Sequence, residues 1–154
     1  MENTKIVIKT KSKSYPIYFG NSVLGTTGKI VKKRLPNVKK IAIISDTKIP
    51  PIFLKKLSKS LRKYNLKIYK VVAKEKTKSF RVANKLIEKL LQNKLNRSDC
   101  IISFGGGIIG DLSAFVSNLT KRGIKFVNIP TTLLAQVDAS IGGKTAINST
   151  QGKN

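Results

Sequence analysis

Residues 100–111 read CIISFGGGIIGD, and this stretch carries the strongest structural signal in the chain. Its apolar start, 100–104, is typical of a β-strand that is covered on both faces. Its glycines match the pattern G-x-G-x-x-G at Gly105, Gly107 and Gly110. Without a Cβ, such a turn lets backbone N–H groups approach a pyrophosphate. The pattern predicts a helical segment at 111–119 and a dinucleotide site at the turn, with a plain strand-to-helix turn as the alternative.

Apolar runs and helical patterns alternate along the rest of the chain. The further predicted strands are 40–45, 66–72 and 125–129. The further predicted helices run from Asn21 or Ser22 to about Leu35, from Pro50 to Leu61, and over 80–92 with Ser79 as the cap. Two β-prone runs near the N-terminus, 5–10 and 15–19, predict a hairpin.

This alternation predicts an α/β fold, because parallel strands need long crossovers that are usually helices. We expect a Rossmann-like, mainly parallel sheet with helices on both faces, preceded by the N-terminal β-hairpin. A chain of 154 residues is long enough to bury a real core in one domain. Residues 1–154 are therefore interpreted as a single domain.

The composition is strongly basic, with 31 Lys and Arg against 7 Asp and Glu and a net charge of +24. Such a charge is compatible with nucleic-acid binding, because cations neutralise phosphates and release counterions. However, lysine dominates over arginine, and the lysines are scattered through residues 1–100 instead of forming one basic tail. A solvated lysine-rich surface is the favoured interpretation, and we expect no nucleic-acid partner.

Several classes of site and location are excluded or disfavoured by missing residue types. The chain has no histidine, which excludes a histidine-based triad or a His-ligated zinc site within it. Its single cysteine excludes an internal disulfide and suits a reducing cytoplasm. The apolar runs are too short to span a membrane, and the N-terminus lacks the apolar segment of a secretory signal.

Two further motifs need a choice between interpretations. Asp46 follows the predicted strand 40–45 and either accepts ribose hydroxyls or caps the turn before Pro50; both remain open. The segment 142–145, Gly-Gly-Lys-Thr, looks like the end of a phosphate-binding P-loop. The position where that motif requires its first glycine is Asp138, so a P-loop hydrolase is rejected.

Polar side chains cluster in the last third of the chain, in loops that follow strand ends. In open α/β sheets, ligands bind at those carboxyl ends. The residues concerned are Asp111, Arg122, Thr131, Thr132, Asp138, Lys144, Lys153 and Asn154.

Four segments, in the same order along the chain, closely resemble 3-dehydroquinate synthase. They are GGGIIGD at 105–111, Arg122-Gly123, PTTLLAQVDASIGGKT at 130–145, and GKN at 152–154. Upstream, Asp46-Thr47 and the pair Glu75 and Lys78 also fit. The resemblance covers the whole chain as the N-terminal domain of that family.

The resemblance implies a carbon–oxygen lyase of the shikimate pathway to aromatic compounds. Enzymes of this family convert 3-deoxy-D-arabino-heptulosonate 7-phosphate to 3-dehydroquinate with release of phosphate. Bound NAD is transiently reduced during the reaction, and a divalent metal, zinc or cobalt, holds the substrate hydroxyls. The complete enzyme is expected to be a cytoplasmic homodimer that acts on this sugar-acid phosphate, without a membrane partner.

The resemblance also implies roles for individual residues. The NAD contacts would be Asp46, Glu75, Lys78, Gly106, Gly107, Ile108, Asp111, Thr131, Thr132, Lys144 and Lys153. The catalytic or substrate contacts would be Arg122, Asp138, Lys144 and Asn154. The family's loop Asp-Gly-Glu-x-x-Lys departs here to AKEKTK at 73–78, which keeps only its Glu and Lys.

The family's metal ligands, one glutamate and two histidines, would lie in a helical domain beyond Asn154. Residues 1–154 are therefore expected to hold no metal site and to complete no catalytic cycle alone. The enzyme alternatives are a related sugar-phosphate cyclase and a polyol dehydrogenase that uses NAD and a metal. The alternative of another class is a basic nucleic-acid-binding module.

Overall fold

The computed structural model describes residues 4–10, 14–21, 23–143 and 145–153. Its strands are β1 (Thr4–Lys9), β2 (Ser14–Phe19), β3 (Lys40–Asp46), β4 (Asn65–Val71), β5 (Cys100–Gly105) and β6 (Lys125–Pro130). Its α-helices are α1 (Val23–Arg34), α2 (Pro51–Ser60), α3 (Phe80–Gln92) and α4 (Gly107–Leu119). Short 3₁₀ turns at Glu75–Thr77 and Thr120–Arg122 and a π-helical turn at Ala135–Ala139 complete the element order.

The chain divides into two compact units. The first contains Met1–Pro36 and Pro50–Lys63, and the second contains Asn37–Ile49 and Tyr64–Asn154. In the first unit, β1 and β2 form the predicted antiparallel hairpin, with Ile6 opposite Ile17. The Arg34 Nε donates a hydrogen bond of 3.0 Å to the Tyr18 hydroxyl, which ties the end of α1 to that hairpin.

The second unit contains a four-stranded sheet in the order β4-β3-β5-β6, in which every neighbouring pair is parallel. From β3 the chain passes to β4 on one side, and β5 then returns to the other side of β3. The point between β3 and β5 is therefore the topological switch point, where open α/β sheets bind ligands.

The core of this unit lies between the sheet and helices α3 and α4. Its buried members are Ala42, Ile44, Val71, Ala83, Leu86, Leu90, Leu95, Ile101, Ile109, Leu112, Val116 and Ile124. Every residue of β5 is buried, as are residues 41–45 of β3. Because side chains alternate between faces along a strand, this confirms that β3 and β5 are covered on both faces. The predicted α/β class with a parallel sheet is confirmed.

A buried carboxylate connects the beginnings of two central strands. Asp99 is only 2% exposed. Its Oδ1 accepts the Lys40 N–H at 2.9 Å, and its Oδ2 accepts the Asn96 N–H at 2.8 Å. These bonds join the start of β3 to the turn before β5 and satisfy a charge that would otherwise be costly to bury.

Within the residues that the structure describes, no helix combines the length and apolar character that a bilayer crossing requires.

Candidate functional site

The glycine turn after β5 is shorter than the sequence predicts. Helix α4 begins at Gly107, with Gly106 at its N-cap, so the prediction of a loop up to Asp111 was wrong. The Gly110 N–H already donates to the Gly106 carbonyl at 3.0 Å, which is a helical bond. Glycine has low helix propensity, but packing of α4 on the sheet overrides that local preference. The amides of Gly107, Ile108 and Ile109 have no carbonyl one turn earlier in the helix; Gly107 and Ile108 are half-buried, whereas Ile109 is buried.

The glycines permit close approach between chain segments. A Cβ at Gly105 would lie 2.7 Å from the Ile109 Cβ, closer than real side chains come. At Gly106 it would lie 3.2 Å from the Thr132 Cγ2, whereas at Gly107 it would make an ordinary 3.4 Å contact with Ala139. Gly105 is therefore required by packing, and Gly107 is not.

Asp46 lies beside this turn at the switch point. Ser45 of β3 pairs with Phe104 of β5, so the next residues, Asp46 and Gly105, end adjacent strands. The Asp46 Oδ1 accepts the Lys48 N–H at 3.0 Å and the Thr47 hydroxyl at 3.5 Å. Asp46 thus stabilises the turn that follows β3, and both of these bonds use the same carboxylate oxygen.

Lys78 and Asp111 form an ion pair next to the start of α4. The Lys78 Nζ lies 2.8 Å from the Asp111 Oδ2, and the two side chains are 10% and 17% exposed. Lys78 follows the 3₁₀ turn after β4, whereas Asp111 belongs to the second turn of α4. The pair therefore joins the loop after β4 to the helix that begins at the glycine turn.

Glu75 begins the same 3₁₀ turn and is exposed. Its Oε1 accepts a 2.8 Å hydrogen bond from the Asn148 amide. This bond is the main cause that holds the pKa of Glu75 below its ordinary value, and the positive charges of Lys78 and Lys153 act in the same direction. Glu75 is thus an ionised acceptor, and Lys153 lies close enough to influence it.

Thr131 and Thr132 follow β6 and lie directly against the glycine turn. The Thr131 N–H donates to the Gly105 carbonyl at 2.9 Å. The Thr132 hydroxyl accepts the Ala135 N–H at 3.3 Å and so stabilises the start of the π-helical turn, to which Asp138 belongs. Since Ala139 approaches the Gly107 position, Asp138 is also near the turn.

One predicted site residue, Arg122, lies away from the glycine turn. Arg122 is exposed and precedes β6, at the amino ends of the strands, with a left-handed φ of 62°. The six residues of β6 separate it by roughly 20 Å from the carboxyl ends where the turn lies. Lys144 and Asn154 lie outside the described residues.

Sequence reasoning missed Thr145, Asn148 and Asn128. The Thr145 hydroxyl donates to the Asp111 carbonyl at 3.0 Å. The Asn128 carboxamide bonds the buried Ser103 hydroxyl and lies 3.4 Å from the Cβ position of Gly110. Asn128 had a signal, a polar residue between Val127 and Ile129 in a strand, whereas nothing in the local sequence distinguishes Asn148.

Among the described residues, no three His, Cys, Asp or Glu side chains lie close enough to hold an ion. We therefore assign no metal-binding step to these residues.

Comparisons of the sequence with a family model and with curated proteins agree with each other. Residues 68–154 match the family model described as 3-dehydroquinate synthase N-terminal. The chain is 44% identical over 150 residues to the 3-dehydroquinate synthase of Pelagibacter ubique (strain HTCC1062), covering 97% of this chain and 41% of that protein. It is 44% identical over 151 residues to that of Thermoanaerobacter sp. (strain X514), covering 97% and 42%.

A solved structure shows the same fold. A 2-deoxy-scyllo-inosose synthase, crystallised with carbaglucose-6-phosphate, NAD⁺ and Co²⁺, superposes with a TM-score of 0.88 at 25% identity, covering 98% of this chain and 42% of that one. The chain spans about two fifths of the length of the curated relatives named above. Because the family match extends over more than half of its residues, the chain belongs to the 3-dehydroquinate synthase family and corresponds to its N-terminal part.

Proposed function

We propose that residues 1–154 are the NAD-binding N-terminal domain of a 3-dehydroquinate synthase. The complete protein would convert 3-deoxy-D-arabino-heptulosonate 7-phosphate to 3-dehydroquinate and phosphate. The observation that carries the proposal is the start of α4 at the switch point between β3 and β5, in a chain of this family.

The N-terminus of α4 suits a pyrophosphate. Its first N–H groups have no carbonyl one turn earlier, and the helix dipole favours an anion there. Gly106 at the N-cap has no side chain to bond these amides, and the first turn carries no acidic residue. The amides of Gly107 and Ile108 would hold the phosphate oxygens, with Thr131 and Thr132 beside them.

Carboxylates nearby suit the ribose hydroxyls of the adenosine half. Asp46 ends the neighbouring strand, and Glu75 is an ionised acceptor. Lys78 and Lys153 would balance charge around the cofactor, with Asp111 holding Lys78 in place. Lys144, which lies outside the described residues, is proposed as a further NAD contact because it matches the family motif.

Bound NAD would supply reversible hydride transfer at a substrate carbon that carries a hydroxyl. This chain's own contribution is to bind and orient. Asp138, Lys144 and Asn154 are proposed as substrate residues, in which Lys144 would meet an anionic group through charge-assisted hydrogen bonds. Arg122 lies at the amino ends of the strands and is not assigned to this site. In the complete enzyme we propose a divalent metal, zinc or cobalt, held by residues outside those described.

Calorimetry with NAD on the chain as it stands tests the proposal. We expect saturable binding by the wild type and a loss of affinity of about tenfold or more in Gly107→Ala. Alanine is a good helix former and its Cβ makes only an ordinary contact here, so the fold should persist, while the methyl group separates the amides from the pyrophosphate.

Gly25→Ala, on a different helix, is the matched control and should bind like the wild type. No binding by the wild type at saturating NAD would refute the proposal. Equal affinity of Gly107→Ala and the wild type would show that the pyrophosphate does not lie at this turn.

A related sugar-phosphate cyclase is the second candidate, favoured by the likeness to 2-deoxy-scyllo-inosose synthase over 98% of the chain. A polyol dehydrogenase is the third, but Lys144, which matches the family motif, favours a phosphorylated, acidic substrate over a neutral polyol. A panel of sugar phosphates and polyols with a full-length protein separates these reactions by the product formed.

We also propose a cytoplasmic homodimer without a nucleic-acid or membrane partner. The free thiol of Cys100, buried in β5, is consistent with a reducing compartment.

A further inference from the structure

The segment 145–148 crosses over both partners of the Lys78–Asp111 ion pair. Thr145 bonds the Asp111 carbonyl, as described above, and the Asn148 N–H donates to the Lys78 carbonyl at 2.8 Å. Asn148 also forms a parallel bridge with Ser79. Between these two bonds, Ile147 packs against the hydrophobic core. The segment is therefore anchored to the core and holds the loop after β4 by its backbone.

The side chain of Asn148 acts on Glu75. Its Nδ2 donates to the Glu75 Oε1 at 2.8 Å. Glu75 oxygens can only accept, so the amide nitrogen must face them. The Asn148 Oδ1 is buried and has no hydrogen-bond partner among the described residues. A buried acceptor left unpaired is unfavourable and calls for an explanation in a folded protein.

We propose that Asn148 is a positioning residue for the cofactor: it orients the Glu75 carboxylate for the ribose hydroxyls of NAD. This inference rests on the proposed NAD-binding function. Glu75 is exposed and would otherwise sample several rotamers. Asn148 lies between Glu75 and an open cavity of about 380 Å³ that Lys76, Lys78 and Arg81 also line. The unpaired Oδ1 is the cost of keeping the amide turned toward Glu75.

The test compares Asn148→Ala, Asn148→Asp and the wild type. Asn148→Ala removes the donor to Glu75 but keeps the backbone bond to Lys78, so the loop should stay in place. We expect NAD affinity to fall by about tenfold, in the range of one charge-assisted hydrogen bond. Asn148→Asp keeps the volume but places a second carboxylate beside Glu75, so its loss should be larger. Gln151→Ala, at an exposed position three residues after Asn148, is the matched control and should bind like the wild type.

The pH profile distinguishes positioning from a merely structural role. The Asn148 bond lowers the pKa of Glu75, so the carboxylate of the wild type should stay ionised, and NAD should stay bound, to a lower pH than in Asn148→Ala. In Asn148→Ala the pKa of Glu75 should rise, and the loss of affinity should begin at higher pH. Carbon-detected NMR of the Glu75 carboxyl group measures the same shift without NAD.

The outcomes distinguish a failure of the proposed role of Asn148 from a failure of the proposed NAD binding. Wild-type binding with an unchanged Asn148→Ala affinity overturns the role of Asn148 and leaves the NAD proposal standing. A pKa of Glu75 that is the same in Asn148→Ala and Asn148→Asp as in the wild type also overturns the role of Asn148 and leaves the NAD proposal standing. Absence of NAD binding by the wild type overturns both. Should Asn148→Ala fold poorly, Asn148→Asp, which preserves the side-chain volume, provides the comparison.

Discussion

The ion pair between Lys78 and Asp111 shows how single residues shape the site. Both side chains are largely buried, so each charge depends on the other. The pair places a lysine beside the first turns of α4, where the proposed pyrophosphate would lie. Its contribution to stability and its contribution to binding are separable by experiment.

A double-mutant cycle with Lys78→Met and Asp111→Ala measures the contribution of the ion pair to stability. We expect each single variant to lower the free energy of urea unfolding by about 1–3 kcal/mol, because a partly buried charge loses its partner. The double variant should lose less than the sum of the two, with a coupling of about 0.5–3 kcal/mol. Lys85→Met, at an exposed position of α3, is the control and should change stability by less than about 0.5 kcal/mol. Additive losses would show that the pair contributes nothing.

At the scale of elements, α1 and α2 are in contact at a glycine. A Cβ at Gly28 would lie 1.9 Å from the Ser60 carbonyl oxygen, a backbone atom that cannot move alone. A Cβ at Gly25, one turn earlier, would lie 3.4 Å from the end of the flexible Lys56 side chain. The same helix thus offers one position that excludes a methyl group and one that accepts it.

We predict opposite effects of alanine at these two positions. Gly28→Ala should separate the two helices and destabilise the protein by about 3 kcal/mol, at the upper end of overpacking effects. Gly25→Ala should be neutral or stabilising by up to about 1 kcal/mol, because alanine favours the helix. Thermal unfolding followed by circular dichroism measures both. Equal stability of the two variants would contradict the close approach at Gly28.

The elements themselves follow from local pattern, with one instructive failure. The hairpin, β3 and α3 lie within a residue or two of prediction because their apolar periodicity and caps are local signals. The start of α4 was predicted at Asp111 but lies at Gly107, because three adjacent glycines look like a loop in sequence. The hydrogen bond from the Gly110 N–H to the Gly106 carbonyl shows that the helix already begins at Gly107.

At the scale of the whole molecule, the net charge of +24 is the dominant property. Such a chain attracts polyanions without sequence preference, and that attraction weakens steeply with salt because counterions are released. NAD carries few charges, and the contacts proposed for it are short hydrogen bonds at a helix terminus. The two kinds of binding should therefore respond differently to ionic strength.

Affinities for NAD and for a short duplex DNA, measured at about 50 and 200 mM salt, test this difference. We expect DNA affinity to fall by about 100-fold or more, as is typical of binding through several phosphate contacts. NAD affinity should change by less than about threefold, because contacts at close range are little screened. DNA binding that collapses with salt, together with no NAD binding at either salt concentration, would favour a nucleic-acid-binding module.

The amino-acid order alone specifies the alternating strands and helices, the parallel sheet and the glycine turn. Each of these depends on residues within one element or on a connection of predictable length, so short-range periodicity is sufficient. It also places Asp46, Gly105 and Thr131 at strand ends that must lie at one edge of the sheet.

The tertiary structure decided which polar side chains contact each other at the site. Lys78 meets Asp111 across 33 positions, and Glu75 meets Asn148 across 73. Arg122 lies at the opposite edge of the sheet from the glycine turn. No local pattern encodes such contacts, because they depend on where separate loops pass over the same strand ends once the core has packed.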